Sequence, residues 1–370
     1  MRKNTKTIMT AISLCAVAAF GLTACGSSGS SSDAQGGGSV GTEATSDVSV
    51  GIVLQTAYNA HFQDIAYGAV LAGQENGITV RVDNTAAETE VEEQITKCEN
   101  MISSGVKALI LTPNDTDAET AAVNAAHDAG IPFIVVDTEI TNIWGDDVKE
   151  YMPSFIGVDH EETAYEIAKD AIEHIGGSGN AVILRGTDAQ TSSQLRTAGF
   201  ERAVEESGIT VLESQSADFV QDEALTTMSD ILQRYKDIDL VLCCNDLMAI
   251  GAISALEENG FAVGEDGVTV VGIDGNLIAL QSIADGKLYS TSYDWSIMQG
   301  YYAVEQCLAL MNGEEVPERT ITPSDIVTID NVDEYMQHGE ELAAWKLGEP
   351  IDGISDYMKD FIQTGKEKQE

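Results

Sequence analysis

Residues 108–138 read ALILTPNDTDAETAAVNAAHDAGIPFIVVDT. A short apolar run breaks off at Thr112, a helix-like stretch follows and stops at Gly130, and a second apolar run ends in Asp137. Continuous apolar runs mark parallel strands covered on both faces, and a glycine after a helical pattern is an ordinary helix stop. The stretch is therefore strand, helix, strand. The same unit recurs on both sides. Apolar runs ending at Gln55, Asn245 and Asp274 (GIVLQTAYN, LVLCCND, VTVVGIDG) are also followed by helix-like segments. In an open parallel sheet, ligands sit outside the carboxyl ends of the strands. Gln55, Thr112, Asp137, Asn245 and Asp274 are thus expected around one cleft. With no Cys or His among them, they suit a neutral, hydroxyl-rich ligand better than a metal or a phosphate.

From Val48 the pattern is α/β throughout. Further strands are expected at VSVGIVL, ITVRV, SFIGV, NAVIL, ITVLE and LYSTS, with helices such as DIAYGAVLAGQENG and ETEVEEQITKCENMISSG between them. Gly77, Gly105, Gly130, Gly208 and Gly260 are read as helix stops. The even spacing points to two similar units, divided near Gly157-Val158-Asp159. The segment Glu139–Pro153, with Trp144 and Tyr151, is irregular. In residues 333–370 the apolar Leu342, Trp345, Ile351, Ile354, Met358 and Ile362 are interspersed with charges, which leaves a packed helical tail and a partly disordered terminus both open.

The formal net charge of −42 over 370 residues makes nucleic acid an unexpected partner, because a polyanion would be repelled. Arg2, Lys3 and Lys6 precede the apolar stretch Ile8–Leu22, which is too short for a membrane span and reads as a signal peptide over 1–24. Leu22-Thr23-Ala24-Cys25 resembles the bacterial lipobox, in which the chain is cut just before the Cys and the Cys sulfur carries a diacylglyceryl group. Residues 25–47, rich in Gly and Ser, read as a lipidated flexible tether. Cys15 leaves with the signal. Cys98, Cys243, Cys244 and Cys307 have no metal-like spacing and read as small buried hydrophobes.

The motifs ILTPNDTDA (110–118), AGIPFIVVDT (129–138), RTAGF (196–200), ADF (217–219), CNDLMAIGA (244–252) and VVGIDG (270–275), in this order behind a lipobox, resemble the ribose/galactose type of periplasmic binding protein over roughly Val48 to Asn331. The resemblance implies two Rossmann-like lobes with parallel sheets joined by a three-crossing hinge, the type I fold of that family. Lobe one would hold 48–158 and 295–324, lobe two 159–294 and 325–332, and 333–370 would be an appendage. The implied function is capture of a monosaccharide or polyol and its delivery to ABC transporter permease subunits by a monomer anchored outside the cytoplasm.

The resemblance also implies the ligand contacts. Asn59 and Phe62 match a polar-then-aromatic loop, with His61 where an aromatic is usual. Thr112 stands for an Asn. Asp137, Phe219, Asn245 and Asp274 match family residues, and Asp294 stands for a hinge Gln. Thr138 and Gln194 stand where ribose binders carry arginines, while Arg196 matches a neighbouring Arg. Both guanidinium forks that would grip ribose are thus expected to be missing.

No cofactor, metal or catalytic group is expected. A dinucleotide enzyme would want GxGxxG after an early strand, where TAYNAHF stands. A helix-turn-helix, as in repressors that share this core, is replaced by the lipobox. A sensor presenting a sugar-like signal to a membrane receptor is the alternative to transport.

Overall fold

Six strands form each of two sheets. The computed structural model describes residues 48–141, 148–265 and 267–369. The signal, lipobox and tether readings over 1–47, with Cys15 and Cys25, and the reading of Trp144 lie outside the described residues.

In chain order the first half holds β1 (Ser49–Leu54), α1 (Ala60–Glu75), β2 (Thr79–Asn84), α2 (Val91–Ser103), β3 (Ala108–Leu111), α3 (Thr120–Asp128), β4 (Phe133–Val136), α4 (Val148–Tyr151) and β5 (Ser154–Gly157). Then come α5 (His160–His174), β6 (Ser178–Arg185), α6 (Thr191–Glu205), β7 (Gly208–Ser216), α7 (Gln221–Arg234), β8 (Leu240–Cys243), α8 (Asp246–Glu258), β9 (Thr269–Asp274), α9 (Leu277–Ala284) and β10 (Ser290–Tyr293). The chain ends in α10 (Ser296–Met311), β11 (Arg319–Ile321), β12 (Asp325–Val327), α11 (Val332–Ala344) and α12 (Asp356–Gln369).

Sheet one runs β11-β5-β4-β3-β1-β2 and sheet two β12-β10-β9-β8-β6-β7. All pairings are parallel except β10 with β12. The molecule is thus two α/β lobes, and the chain passes between them after β5, after β10 and between β11 and β12. The last two strands are only three residues each, too short to show a run in the sequence. Central strands β1, β3, β4, β8 and β9 are buried on both faces, whereas edge strand β2 alternates between exposed and half-buried. That is the burial expected of a sheet covered by helices everywhere but its edge.

The lobe-one helices α1 and α10 cross at two glycines. A Cβ on Gly68 would lie 1.8 Å from the Ile297 carbonyl oxygen, and one on Gly300 would lie 1.8 Å from that of Ile65. The backbones touch, so no side chain fits at either position. One expected helix stop is corrected. Gly208 is the first residue of β7, and the helix before it ends at Glu205. Gly130, by contrast, follows α3 at φ +68°, where an L side chain would be strained.

The C-terminal residues are helical and packed. Leu342, Ile351, Met358 and Ile362 are buried. Phe361 stacks on Trp295 at 4.6 Å and on His338 at 4.4 Å. The four cysteines after residue 47 are free and buried.

Candidate functional site

The two lobes meet over a narrow cavity that both of them line. Lobe one brings Asn59, His61, Phe62 and Asp137 to its wall, and lobe two brings Arg196, Phe219, Asn245 and Asp274. The local chain explains each placement. Asn59 caps α1 and accepts from the His61 backbone N–H, and Asn245 caps α8 and accepts from that of Met248. Their amides are thereby fixed where strand becomes helix. Asp137, Phe219 and Asp274 take φ of 67°, 62° and 127°. Such backbone is uncommon outside glycine and concentrates at binding sites.

Charge is paired across the wall. His61 Nε2 lies 3.1 Å from Asp137 Oδ1, and His61 Nδ1 lies 2.9 Å from Ser296 Oγ. Burial opposes the charge on His61, but the Asp137 hydrogen bond and the carboxylates of Asp274, Asp137 and Asp294 outweigh it and raise its pKa to about 9. Burial pushes Asp137 up, yet His61, His160 and Arg196 pull it well below the ordinary carboxylate range.

The Arg196 guanidinium donates to Cys244 O at 2.8 Å, to Asp274 Oδ1 at 3.2 Å and to Asp294 Oδ2 at 3.4 Å. Its Nε donates to His160 Nδ1 at 3.3 Å, so His160 is left with a proton on Nε2, which faces Asp137 O at 2.8 Å. Burial and the Arg196 charge lower the pKa of His160 to about 4 and keep it neutral.

Four expected contacts lie off the wall. Thr112 is buried behind it and accepts from the Gln55 backbone N–H at 2.8 Å. Thr138 braces Asp137, donating to its Oδ2 at 3.0 Å, and pairs with Ser192 of lobe two at 2.9 Å. Asp294 sits behind Arg196 and is fully buried. Gln194 is corrected: it is exposed and donates to Asp188 O. It precedes Arg196 by two residues on α6, and such residues point to different sides of a helix. Arg196, expected among the contacts, does reach the cavity and brings one guanidinium to it.

Glu88, Gln190 and Ser192 line the cavity without having been singled out, and His160 stands directly behind it. Glu88 follows β2, and Gln190 and Ser192 sit at the start of α6, which follows β6, so the strand-end rule, applied to those two strands, would have reached them. His160 carries no such signal. Among the described residues no group of three or more His, Cys, Asp or Glu is placed to hold a metal ion.

Residues 50–315 match the model of the periplasmic binding protein domain family. The chain is 31% identical over 278 residues to the ribose import binding protein of Salmonella typhimurium, covering 75% of this chain and 89% of that one. This chain belongs to the ribose/galactose type of periplasmic binding proteins. Among solved binding proteins of ABC transporters, one from Actinobacillus succinogenes with bound D-allose is 30% identical, with a TM-score of 0.72 over 78% of this chain and 100% of that one. Another from Bacillus halodurans, with bound myo-inositol, is 28% identical, with a TM-score of 0.69 over 80% and 99%. Periplasmic binding proteins are carriers rather than enzymes, and the cleft between lobes is where two domains can close on a small molecule.

Proposed function

We propose that this periplasmic binding protein captures a monosaccharide or polyol in the cavity and delivers it to the permease subunits of an ABC importer. The observation that carries the reading is the make-up of the wall. Two aromatic rings, Phe62 and Phe219, stand among carboxylates and amides contributed by both lobes. Carboxylates accept from hydroxyls, amides both donate and accept, and aromatic faces cover the C–H side of a sugar ring. The D-allose and myo-inositol held by the related proteins are both rings of hydroxyls.

In this reading lobe one comprises 48–158 and 295–324, and lobe two 159–294 and 325–332. Thr112, Thr138 and Asp294 act from behind the residues that touch the ligand. Ribose is not the preferred ligand, because Thr138 carries a hydroxyl where ribose binders of the family carry a guanidinium. A thermal-shift screen of monosaccharides, polyols, amino acids and peptides tests the class. A ligand at a hundred times its Kd stabilises the fold by about 2.7 kcal/mol. A shift with peptides or amino acids, and none with any sugar or polyol, would sink the proposal.

The protein works outside the cytoplasm, as its family does. We further propose that lipid on Cys25 holds it to the membrane through the tether of residues 25–47, which the run Leu22-Thr23-Ala24-Cys25 supports. Mass spectrometry of the membrane fraction should find a diacylglyceryl-modified Cys25. An intact Ala24–Cys25 bond in the mature protein would count against the anchor.

A further inference from the structure

Glu88 lines the cavity from the loop between β2 and α2 and is 6% exposed. No hydrogen bond or ion pair joins its carboxyl to a described residue. The other ionisable groups of the wall are engaged, Asp137 with His61 and Asp274 with Arg196. The charged groups that face Glu88 are His61 from α1, Asp137 after β4, Arg196 from α6 and Asp274 at the end of β9. Both cations already serve carboxylates, and both carboxylates repel a third anion.

A buried carboxylate without a partner is costly, and like charges nearby make it costlier. Holding a proton removes the cost. Burial, then Asp274 and Asp137, raise the pKa of Glu88 to about 8 against the opposing charges of His61 and Arg196.

The wall also needs donors. Asp137 and Asp274 only accept. Asn59 Nδ2 gives one of its two protons to Asp274 at 3.0 Å and Asn245 Nδ2 gives one to Phe219 O at 3.2 Å, so the second proton of each and the unpartnered Gln190 Nε2 are the wall's remaining amide donors. A hydroxyl oxygen that turns its proton toward one carboxylate needs a donor for its lone pairs.

We propose that Glu88 touches the ligand and helps to select it, entering the complex as an uncharged carboxylic acid that donates a hydrogen bond to a ligand oxygen. The proposal rests on the sugar or polyol reading of the cavity. Binding to wild type then requires a proton on Glu88. Affinity holds below the pKa of about 8 and falls about tenfold between pH 7 and pH 9.

Isothermal titration with D-allose, myo-inositol, D-glucose and D-glucosamine, repeated between pH 6 and pH 9, reads the effect on wild type, Glu88→Gln and Glu88→Ala. For whichever neutral compound binds, wild-type affinity should fall across pH 8. Glu88→Gln, whose amide donates at every pH, should flatten that fall and leave only the part that His61 contributes near pH 9. Glu88→Ala should weaken binding about tenfold at pH 7, the loss of one hydrogen bond to a buried ligand. Equal affinity of Glu88→Ala and wild type, or coincident pH profiles of Glu88→Gln and wild type, would overturn the proposal. So would tighter binding of D-glucosamine than of D-glucose that disappears in Glu88→Gln, which would make Glu88 a charged partner. If none of the four binds, Glu88 is judged on the free protein. Glu88→Gln should then raise the melting temperature more at pH 8 than at pH 5, and an equal gain at both would show that the carboxyl is not held uncharged.

Discussion

Asn59 Nδ2 of lobe one donates to Asp274 Oδ2 of lobe two over 3.0 Å, and Asn59 Oδ1 accepts from Asn276 Nδ2 of lobe two over 3.0 Å. One asparagine therefore joins the lobes at the cavity. The same Asp274 accepts from Arg196 through its other oxygen. A carboxylate that lines the cavity also joins the lobes, so a ligand engaging it would link binding to closure.

Asp274→Ala should act on both. Ligand affinity should fall by about 1.5–3 kcal/mol for each charge-assisted hydrogen bond lost. Small-angle scattering should show wild type contracting on ligand addition and the variant failing to contract at the same concentration. The melting temperature should drop as well, because Arg196 loses one of its two carboxylates while buried. Unchanged affinity alongside a lower melting temperature would make Asp274 a purely structural partner of Arg196.

The His61–Asp137 pair predicts an alkaline loss of stability. The pKa of His61 is raised from 6.5 to about 9. The pair's contribution is therefore complete below pH 6.5 and is lost as pH rises through 9. The shift corresponds to on the order of 3 kcal/mol for a buried group. Urea midpoints of wild type should decline across that window, and those of His61→Gln should decline less. Parallel curves would mean that His61 is not charged in the folded protein.

Gly300→Ala should destabilise lobe one by about 1–3 kcal/mol, because the added Cβ meets a backbone oxygen that cannot swing away. Gly68→Ala should do the same from the other helix. The urea midpoint should fall with an unchanged slope. A neutral effect at both positions would show that α1 and α10 can separate without cost.

The C-terminal tail holds both lobes. Gln74 of α1 exchanges two hydrogen bonds with the backbone of Ile351, at 3.2 and 2.8 Å, and Tyr67 of α1 meets the Trp345 ring edge-on at 5.3 Å. Tyr335 and Lys368 of the tail bond Asp325 of β12 at 3.0 and 2.6 Å. Replacing Gln74 and Trp345 by Ala together should cost about 1–3 kcal/mol, two modest hydrogen bonds and one aromatic contact. It should also enlarge the radius of gyration of the ligand-free protein. A changed stability with an unchanged radius would confine the tail to a packing role.

Much of this was legible in residues 108–138 and their repeats. Buried parallel strands demand continuous apolar runs, helices between them demand stops, and the polar residue at a strand's carboxyl end falls on the cleft whatever the distant chain does. Asp137, Asn245 and Asp274 reach the cavity for that local reason. The tertiary structure decided the rest. Arg196 rather than Gln194 faces the cavity because α6 packs one side on α5, where His160 receives Arg196. Glu88 looks like any surface acid in the sequence. It becomes a cavity group only when its loop is brought beside strand ends 49 and 186 residues further along the chain, at Asp137 and Asp274. Local pattern fixes which face of an element is buried. Which charges end up together depends on distances between elements, and those exist only once the lobes have folded and met.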